Sequence, residues 1–156
     1  MTHATRRTFI HAGITLAVMQ ALPALAQVSP SVHVVKDRGC PCCNGWIGHL
    51  RDSGFTVSVE ERSVEALEAY KHEQGIPAAL VSCHTGTVAG YMLEGHVPAA
   101  DIRRLLVERP EAIGLAVPGM PYGSPGMGSE AEREAYDVIL IAVDGSATIF
   151  TSYPAA

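Results

Sequence analysis

The stretch Val32–Leu50, VHVVKDRGCPCCNGWIGHL, decides the fold, because it passes from a strand pattern through three cysteines into a helix pattern. The valines predict a strand, and the residues after them predict a helix that begins at Cys40, Cys42 and Cys43. A helix start presents free backbone N–H groups and the positive end of the helix dipole, which favour ionised thiols. Since the thiolate is both a nucleophile and a soft-metal ligand, this turn predicts redox chemistry or metal capture.

The three clustered thiols leave several interpretations open. Cys40 and Cys43 form a C-x-x-C pair with proline in the second position, as in glutaredoxin-type redox motifs. A dithiol enzyme needs one attacking and one resolving sulfur, and the adjacent Cys42 would invite scrambled pairing. A soft-metal site gains a ligand from it. Metal binding is therefore the first hypothesis, thiol–disulfide exchange the second, and a structural disulfide with one spare thiol the third.

The N-terminal residues indicate export. Thr5–Ile10 is a twin-arginine pattern, an apolar stretch follows over residues 12–22, and Ala24–Ala26 is an A-x-A cleavage signal. The apolar stretch is too short and too weakly hydrophobic for a good membrane span. We therefore expect a Tat-type signal peptide over residues 1–26 that is cleaved after Ala26, and a periplasmic mature chain with no membrane anchor. Sec export and an uncleaved amphipathic helix are the alternatives.

The remaining chain is acidic. Cleavage removes two arginines and no acid, which leaves nine Lys and Arg against sixteen Asp and Glu, a net charge of −7. Nucleic-acid affinity depends on the neutralisation of phosphates, so an acidic chain without a basic run is not expected to bind nucleic acid. The negative field favours cations instead. Residues 27–156 have the length of one ordinary domain with its own core.

Strand and helix patterns alternate beyond the cysteines. Gly54 is typical of a helix C-terminus, Ser63 is typical of a helix N-cap, and Thr85-Gly86 is expected to form a turn between two strands. The first two strands are expected to be parallel and joined by a helical crossover. We predict strands at residues 32–36, 56–60, 75–81 and 88–94, and helices at residues 43–53, 63–74 and 98–107.

The predicted order βαβαββα resembles the thioredoxin fold over about residues 31–109. The resemblance rests on a cysteine motif before the first helix and on Ile76-Pro77 at the start of the strand that follows the second helix. In thioredoxin-like proteins that proline is cis and lies against the cysteine motif, so the resemblance implies a cis Pro77 beside Cys40. The expected fold class is therefore α/β, with a thioredoxin-like mixed sheet flanked by helices.

The C-terminal third predicts a loop and then a hairpin. The loop spans residues 110–135 and contains the Pro/Gly-rich run Gly114–Gly128, whose many turn formers are expected to prevent regular structure. The apolar run 136–143, the turn signal Asp144-Gly145 and the returning residues 147–153 predict a C-terminal β-hairpin appended to the sheet over 136–153.

Further candidate ligands lie outside the cysteine motif. Cys83-His84 follows the third predicted strand, and His96 lies at a strand-to-helix junction on glycine-flexible backbone. A buried structural cysteine and a turn histidine are the ordinary alternatives. Met120 and Met127 each follow a glycine in the loop and have little apolar company, so they are candidate thioether ligands for Cu(I), although methionine usually fills core gaps.

The chain resembles domain-of-unknown-function family 411 in several short motifs. Its better-known members are CopG-type periplasmic copper-resistance proteins. The resemblance runs from about residue 31 to the C-terminus and implies a thioredoxin-like domain that binds copper through the C-x-C-C cysteines and a further cysteine, with a role in Cu(I)/Cu(II) handling. Here those cysteines are Cys40, Cys42, Cys43 and Cys83. The matching segments are 40–43 with Trp46, 75–77, 82–85, 94–98, 114–121 and 123–127.

The leading hypothesis is a periplasmic copper-binding protein of copper resistance or homeostasis that holds Cu(I) through clustered thiolates. Thiolate sulfur can bridge metals, so a multinuclear cluster is one expected form. Zinc is disfavoured, because three sulfurs on four consecutive residues cannot easily occupy three corners of one tetrahedron. Thiol-dependent copper redox and a thiol–disulfide oxidoreductase that uses Cys40 and Cys43 remain the enzymatic alternatives. Expected partners are copper ions and other periplasmic copper-handling proteins. The candidate ligands are Cys40, Cys42, Cys43, Cys83, His84, His96, Met120 and Met127.

Overall fold

The computed structural model describes residues 29–156, so the predicted signal peptide lies outside the described residues. None of the helices in this range is long and apolar enough to span a bilayer. The helices are α1 Pro41–Asp52, α2 Val64–Glu73 and α3 Ala99–Glu108. The strands are β1 Ser31–Asp37, β2 Thr56–Arg62, β3 His84–Val88, β4 Tyr91–Glu94, β5 Ala112–Ala116, β6 Tyr136–Ala142 and β7 Ala147–Tyr153.

The strands form one mixed sheet in the order β2-β1-β3-β4-β5-β6-β7. β1 pairs with β2, and β4 with β5, in parallel, while the other neighbouring strands are antiparallel. The predicted parallel pair with a helical crossover is confirmed, and so is the mixed α/β class. The predicted hairpin is confirmed as β6 and β7, and it extends the sheet because β6 pairs with β5.

Helix α1 carries the cysteine motif and packs against the sheet. Its buried residues Cys43, Trp46, Ile47 and Leu50 recur at the spacing that places side chains on one helical face. Pro41 occupies the start of the helix, where its missing N–H leaves no hydrogen bond unmade. The helix ends at Asp52, and Gly54 follows its C-cap Ser53 with a φ of +82° that glycine adopts readily. This packing fixes the first turn of α1 at the end of β1.

The strand predicted over residues 75–81 is wrong. The chain instead forms a 3₁₀ turn at Ala78–Leu80, in which the Leu80 N–H donates to the Pro77 carbonyl at 2.8 Å. Pro77 has no N–H to donate to a strand neighbour, which weakens any pairing at this point. The peptide bond before Pro77 is also trans, as are all peptide bonds between residues 29 and 156, so the expected cis bond is wrong.

Two further expectations about loops are corrected. Thr85-Gly86 lies within β3 rather than in a turn, because Gly86 makes room for Trp46: an added Cβ would lie 3.2 Å from the indole. The turn comes later, at Ala89 and Gly90, which both have positive φ. The Pro/Gly-rich run also begins as a strand, β5, where Gly114 lets the backbone approach Met92 so closely that a Cβ would overlap it.

Candidate metal centre

The cysteine motif forms the first turn of α1. Cys40 precedes the helix with extended backbone, and its Sγ is bonded to the Sγ of Cys43 in a disulfide. Cys43 points into the core and is buried, whereas Cys42 is a free, half-buried thiol. The Cys42 Sγ lies 3.5 Å from the Cys40 Sγ. All three sulfurs therefore lie together, but only Cys42 offers an unbonded sulfur in this oxidation state.

Cys83 reaches this turn through the pairing of β1 with β3. In the antiparallel register Lys36, near the end of β1, lies opposite His84, the first residue of β3. Cys83 precedes His84 and is therefore placed beside the cysteine turn that follows β1. The Cys83 Sγ lies 3.8 Å from the Cys42 Sγ. The sulfurs of Cys40, Cys42, Cys43 and Cys83 all lie within 4.8 Å of one another. The structure thus brings together two cysteine segments that are forty residues apart in the chain.

Two imidazoles also lie close to the Cys83 sulfur. The His84 Nδ1 and the His96 Nε2 each lie 3.2 Å from the Cys83 Sγ. The His96 Nδ1 lies 2.8 Å from the Pro125 carbonyl, which can only accept, so Nδ1 carries the proton and Nε2 presents its lone pair to the sulfur. A backbone carbonyl fixes ligating histidines in this way at many metal sites.

Burial keeps both imidazoles uncharged. His84 is fully buried between Trp46 and His96, with ring centroids 4.3 Å and 5.1 Å away. Burial lowers the pKa of His84 well below 6.5, and the neighbouring His96 adds to the shift. Burial also lowers the pKa of His96. Both rings are thus neutral near pH 7, the form in which imidazole binds metals.

The thiol of Cys83 is half-buried. Burial raises its pKa to about 12, and the sulfur of Cys42 contributes to the shift. A bare thiolate is therefore unfavourable at this position, and a bound cation that replaces the proton would stabilise it. In addition, the His84 Nε2 is buried and has no hydrogen-bond partner among the described residues. A buried nitrogen without a hydrogen-bond partner is typical of a site that is completed by a water molecule or an ion.

The loop after β5 contributes a thioether. The Met120 Sδ lies 4.0 Å from the Cys42 Sγ, and Met120 is 53 % exposed. The described residues place no such contact at Met127. The loop is held against the first turns of α1 by Gly126, whose backbone packs so closely on Gly45 that a Cβ there would lie 2.8 Å from the Gly126 carbonyl. Met120 consequently forms the open rim of the cysteine group.

A buried polar network supports the Cys83 side and was not predicted from the sequence. Glu94 is fully buried, and its carboxylate lies 2.5 Å from the Lys71 Nζ. The same carboxylate accepts hydrogen bonds from the Ser82 N–H at 2.7 Å and from the Thr85 hydroxyl at 2.6 Å. Burial raises the pKa of Glu94 against the attraction of Lys71. A glutamate in an otherwise buried strand pattern was the one available signal.

The donors suit a soft metal. They divide into two overlapping groups, four cysteine sulfurs on one side and Cys83, His84 and His96 on the other, which share the Cys83 sulfur. Thiolate, thioether and neutral imidazole are ligands for copper, and the sulfur-rich side favours Cu(I). Cys40 and Cys43 can join the set only when their disulfide is reduced. The residues present therefore fit a copper ion. The number of sulfur ligands depends on whether Cys40 and Cys43 are reduced or joined in their disulfide.

Comparisons with known proteins agree with this donor chemistry. The sequence profile of a family described as protein of unknown function, DUF411, matches residues 80–127. A solved structure of copper resistance protein CopG, form 2, is similar with a TM-score of 0.77 and 42% identity, covering 81% of this chain and 100% of that chain. Form 1 of that protein gives a TM-score of 0.75 and 42% identity, covering 81% and 99%. A comparison with curated protein sequences found no match to this chain.

Proposed function

Because this chain belongs to the family of copper resistance protein CopG, we propose that it binds copper ions through its clustered cysteines and serves copper resistance or homeostasis. The observation that supports the proposal most directly is the convergence of Cys42 and Cys83, whose sulfurs lie 3.8 Å apart on separate chain segments. The proposed ligands are Cys40, Cys42, Cys43, Cys83, His84, His96 and Met120, and Met127 stays a candidate for which the described residues show no contact with these sulfurs.

Cu(I) is the proposed oxidation state of the bound metal. Thiolates and thioethers are soft donors, and Cys42, Cys83 and Met120 present three sulfurs to one space. A multinuclear cluster is proposed because Cys83 belongs to both donor groups and a thiolate can bridge two ions. We also propose that the domain is thioredoxin-like. The proposed division of the chain is a signal peptide over residues 1–26 and one domain over residues 27–156.

We place the protein in the periplasm after export by the twin-arginine route, which the Arg6-Arg7 pattern and the A-x-A signal support. The acidic charge of the mature chain suits a cation-binding protein. Other periplasmic copper-handling proteins are the proposed donors or acceptors of the metal, and the half-exposed Cys42 beside Met120 offers them direct access to the sulfur ligands.

A second candidate function follows from the Cys40–Cys43 disulfide. The reduced pair can give up two electrons and two protons as the disulfide forms, and two Cu(II) ions can each accept one electron to become Cu(I). This is the thiol-dependent copper redox activity. With an organic disulfide as the oxidant in place of copper, the same pair would act as a thiol–disulfide oxidoreductase.

Paired double variants distinguish binding from exchange. Cys42→Ser with Cys83→Ser should abolish retention of Cu(I) by the anaerobically reduced protein, measured as the copper-to-protein ratio after desalting. Cys40→Ser with Cys43→Ser should abolish insulin reduction while keeping part of the copper. Full copper retention by the first variant would refute the proposed ligands. If Cys83→Ser alone keeps the full copper-to-protein ratio but lowers the melting temperature of the apo-protein, Cys83 is a packing residue and not a ligand.

A further inference from the structure

Met120 has little packing of its own to hold its thioether over the sulfurs. Its side chain is 53 % exposed and lies on the loop between β5 and β6, yet its Sδ is 4.0 Å from the Cys42 Sγ. A methionine side chain rotates about three bonds even on a fixed backbone, but a fixed backbone keeps its thioether within reach of the sulfurs. The contacts of the preceding residue, Gly119, therefore decide where the thioether can reach.

Gly119 is tied to the segment that carries Cys83. The hydroxyl of Ser82 donates to the Gly119 carbonyl, and the Gly119 N–H donates to the Val81 carbonyl at 3.3 Å. Gly119 has a φ of +68°, and a Cβ added there would meet nothing within 4 Å. Two hydrogen bonds between Gly119 and residues 81–82, one donated in each direction, thus anchor the loop immediately before Met120.

Ser82 is in turn held rigidly. Its N–H donates to the buried carboxylate of Glu94 at 2.7 Å, and Lys71 and Thr85 hold that carboxylate in place. Its side chain faces Gly95, where an added Cβ would lie 2.5 Å from the Ser82 Oγ. The Ser82 Oγ also lies 4.0 Å from the Cys83 Sγ. A fixed backbone and a confined side chain make this hydroxyl a well-placed anchor.

We propose that Ser82 is a positioning residue that holds Met120 over the Cys42–Cys83 pair, so that the thioether and the two thiols can bind the same metal ion. This inference rests on the proposed function, since it concerns a ligand of the same site. Ser82 does not itself bind the metal. It joins the Cys83 segment to the Met120 loop, so the ligands from the two segments keep one relative position when the metal enters.

The first test asks whether the thioether remains at the metal without the hydroxyl. The protein is labelled with selenomethionine and loaded with Cu(I), and X-ray absorption at the copper edge detects copper–selenium scattering. Loss of that signal in Met120→Leu assigns it to Met120. We expect Ser82→Ala to lose the same signal while keeping the bound copper, and Ser152→Ala to retain it. Ser152 is a matched control because its hydroxyl also makes one hydrogen bond, to Asp137, but on the distant hairpin.

The second test is a double-mutant cycle on Cu(I) affinity at pH 7, measured by competition with a chromophoric Cu(I) chelator. Ser82→Ala should weaken affinity about tenfold in the parent protein, the low end of the range for residues that orient metal ligands. It should have no further effect in the Met120→Leu background, since its action passes through Met120. A purely structural role would instead lower affinity equally in both backgrounds.

The outcomes separate this inference from the proposed function. Persistence of copper–selenium scattering in Ser82→Ala, or additive effects in the cycle, would overturn the positioning role while copper binding stands. Bound copper without copper–selenium scattering in the parent would overturn it as well. Failure of the reduced parent protein to bind Cu(I) at all would refute the proposed function together with the inference that depends on it.

Discussion

The two halves of the candidate site differ in how the chain builds them. The cysteine turn, residues 40–43, is contiguous in sequence, half-open to solvent and held by the first turn of α1. The buried half, Cys83, His84 and His96, is assembled from β3, β4 and the residues that flank them. Oxidation changes the ligands of the cysteine turn through its disulfide, whereas protons act on the buried half through its imidazoles.

This difference indicates that the two halves have different roles in metal binding. The cysteine turn can gain or lose two sulfur ligands without refolding, because its disulfide closes within one helical turn. The buried half is held by the Lys71–Glu94 pair and by the His96–Pro125 hydrogen bond, which keep its donors in place in the absence of metal. A rigid set of donors reduces the cost of ordering ligands when the metal binds. The following predictions test this contrast.

The largest effect is expected from the support of the buried half. Glu94→Gln should destabilise the copper-free protein by about 3–5 kcal/mol, because it leaves the ammonium of Lys71 buried without its counter-charge. Chemical denaturation followed by circular dichroism measures the change. Glu108→Gln is the matched control, since its ion pair with Arg104 is exposed and should contribute less than about 1 kcal/mol. Equal effects of the two variants would contradict a rigid, charge-paired support.

Reduction should alter the copper capacity of the cysteine turn. In the state described here two cysteines are free, Cys42 and Cys83, so thiol titration of the denatured, unreduced protein should find two thiols. Full reduction should expose four. With two of its four cysteine ligands removed, the oxidised protein should retain about half of the Cu(I) that the reduced protein binds. Equal copper-to-protein ratios in the two states would show that Cys40 and Cys43 are not ligands.

The sequence predicts the two halves unequally well. The cysteine turn follows from local signals, since the strand, Pro41 and the helical spacing of Trp46 and Leu50 all lie within twenty residues. The position of Cys83 depends on the register of β3 against β1, which is a long-range pairing. A short apolar run such as residues 78–81 cannot identify that strand, because such a run fits a strand or a helical segment equally well.

The supporting residues were missed for a related reason. Lys71 lies on α2 among charged residues, where the pattern favours a solvent-exposed side chain, and only the tertiary structure buries it against Glu94. Strand β5 was missed because Pro and Gly dominate the run that follows it. Its partners β4 and β6 supply the hydrogen bonds that local propensity does not favour.

Protons should destabilise the buried half. Burial lowers the pKa of His84 and of His96, so below pH about 6.5 the unfolded chain binds protons that the folded chain does not. The free energy of unfolding of the copper-free protein should therefore fall as pH decreases from 7 to 5, by at most about 1.4 kcal/mol per pH unit for each histidine. Denaturation across this range measures the slope.

Variants separate the histidines from other groups that titrate nearby, such as Glu94, whose raised pKa acts in the opposite direction. His96→Gln should reduce the dependence of stability on pH, because one neutral buried imidazole is removed. His72→Gln, on the exposed surface of α2, is the control for the loss of a histidine outside the site. A slope that is the same in the parent and in His96→Gln would show that His96 does not carry this dependence.

The smallest effect is expected at the rim, where the two loop methionines provide an internal comparison. Met120→Leu should weaken Cu(I) binding about tenfold, or about 1.4 kcal/mol, because its Sδ lies 4.0 Å from the Cys42 Sγ. Met127→Leu should change affinity by less than about twofold if its role is packing, since leucine is close to methionine in volume.

The difference between the two variants should also persist as pH falls. A thioether does not titrate, so the difference is expected from pH about 7.5 to about 5, while imidazole ligation weakens. Chelator competition at several pH values measures it, and equal affinities of Met120→Leu and the parent throughout would restrict the site to cysteine and histidine ligands.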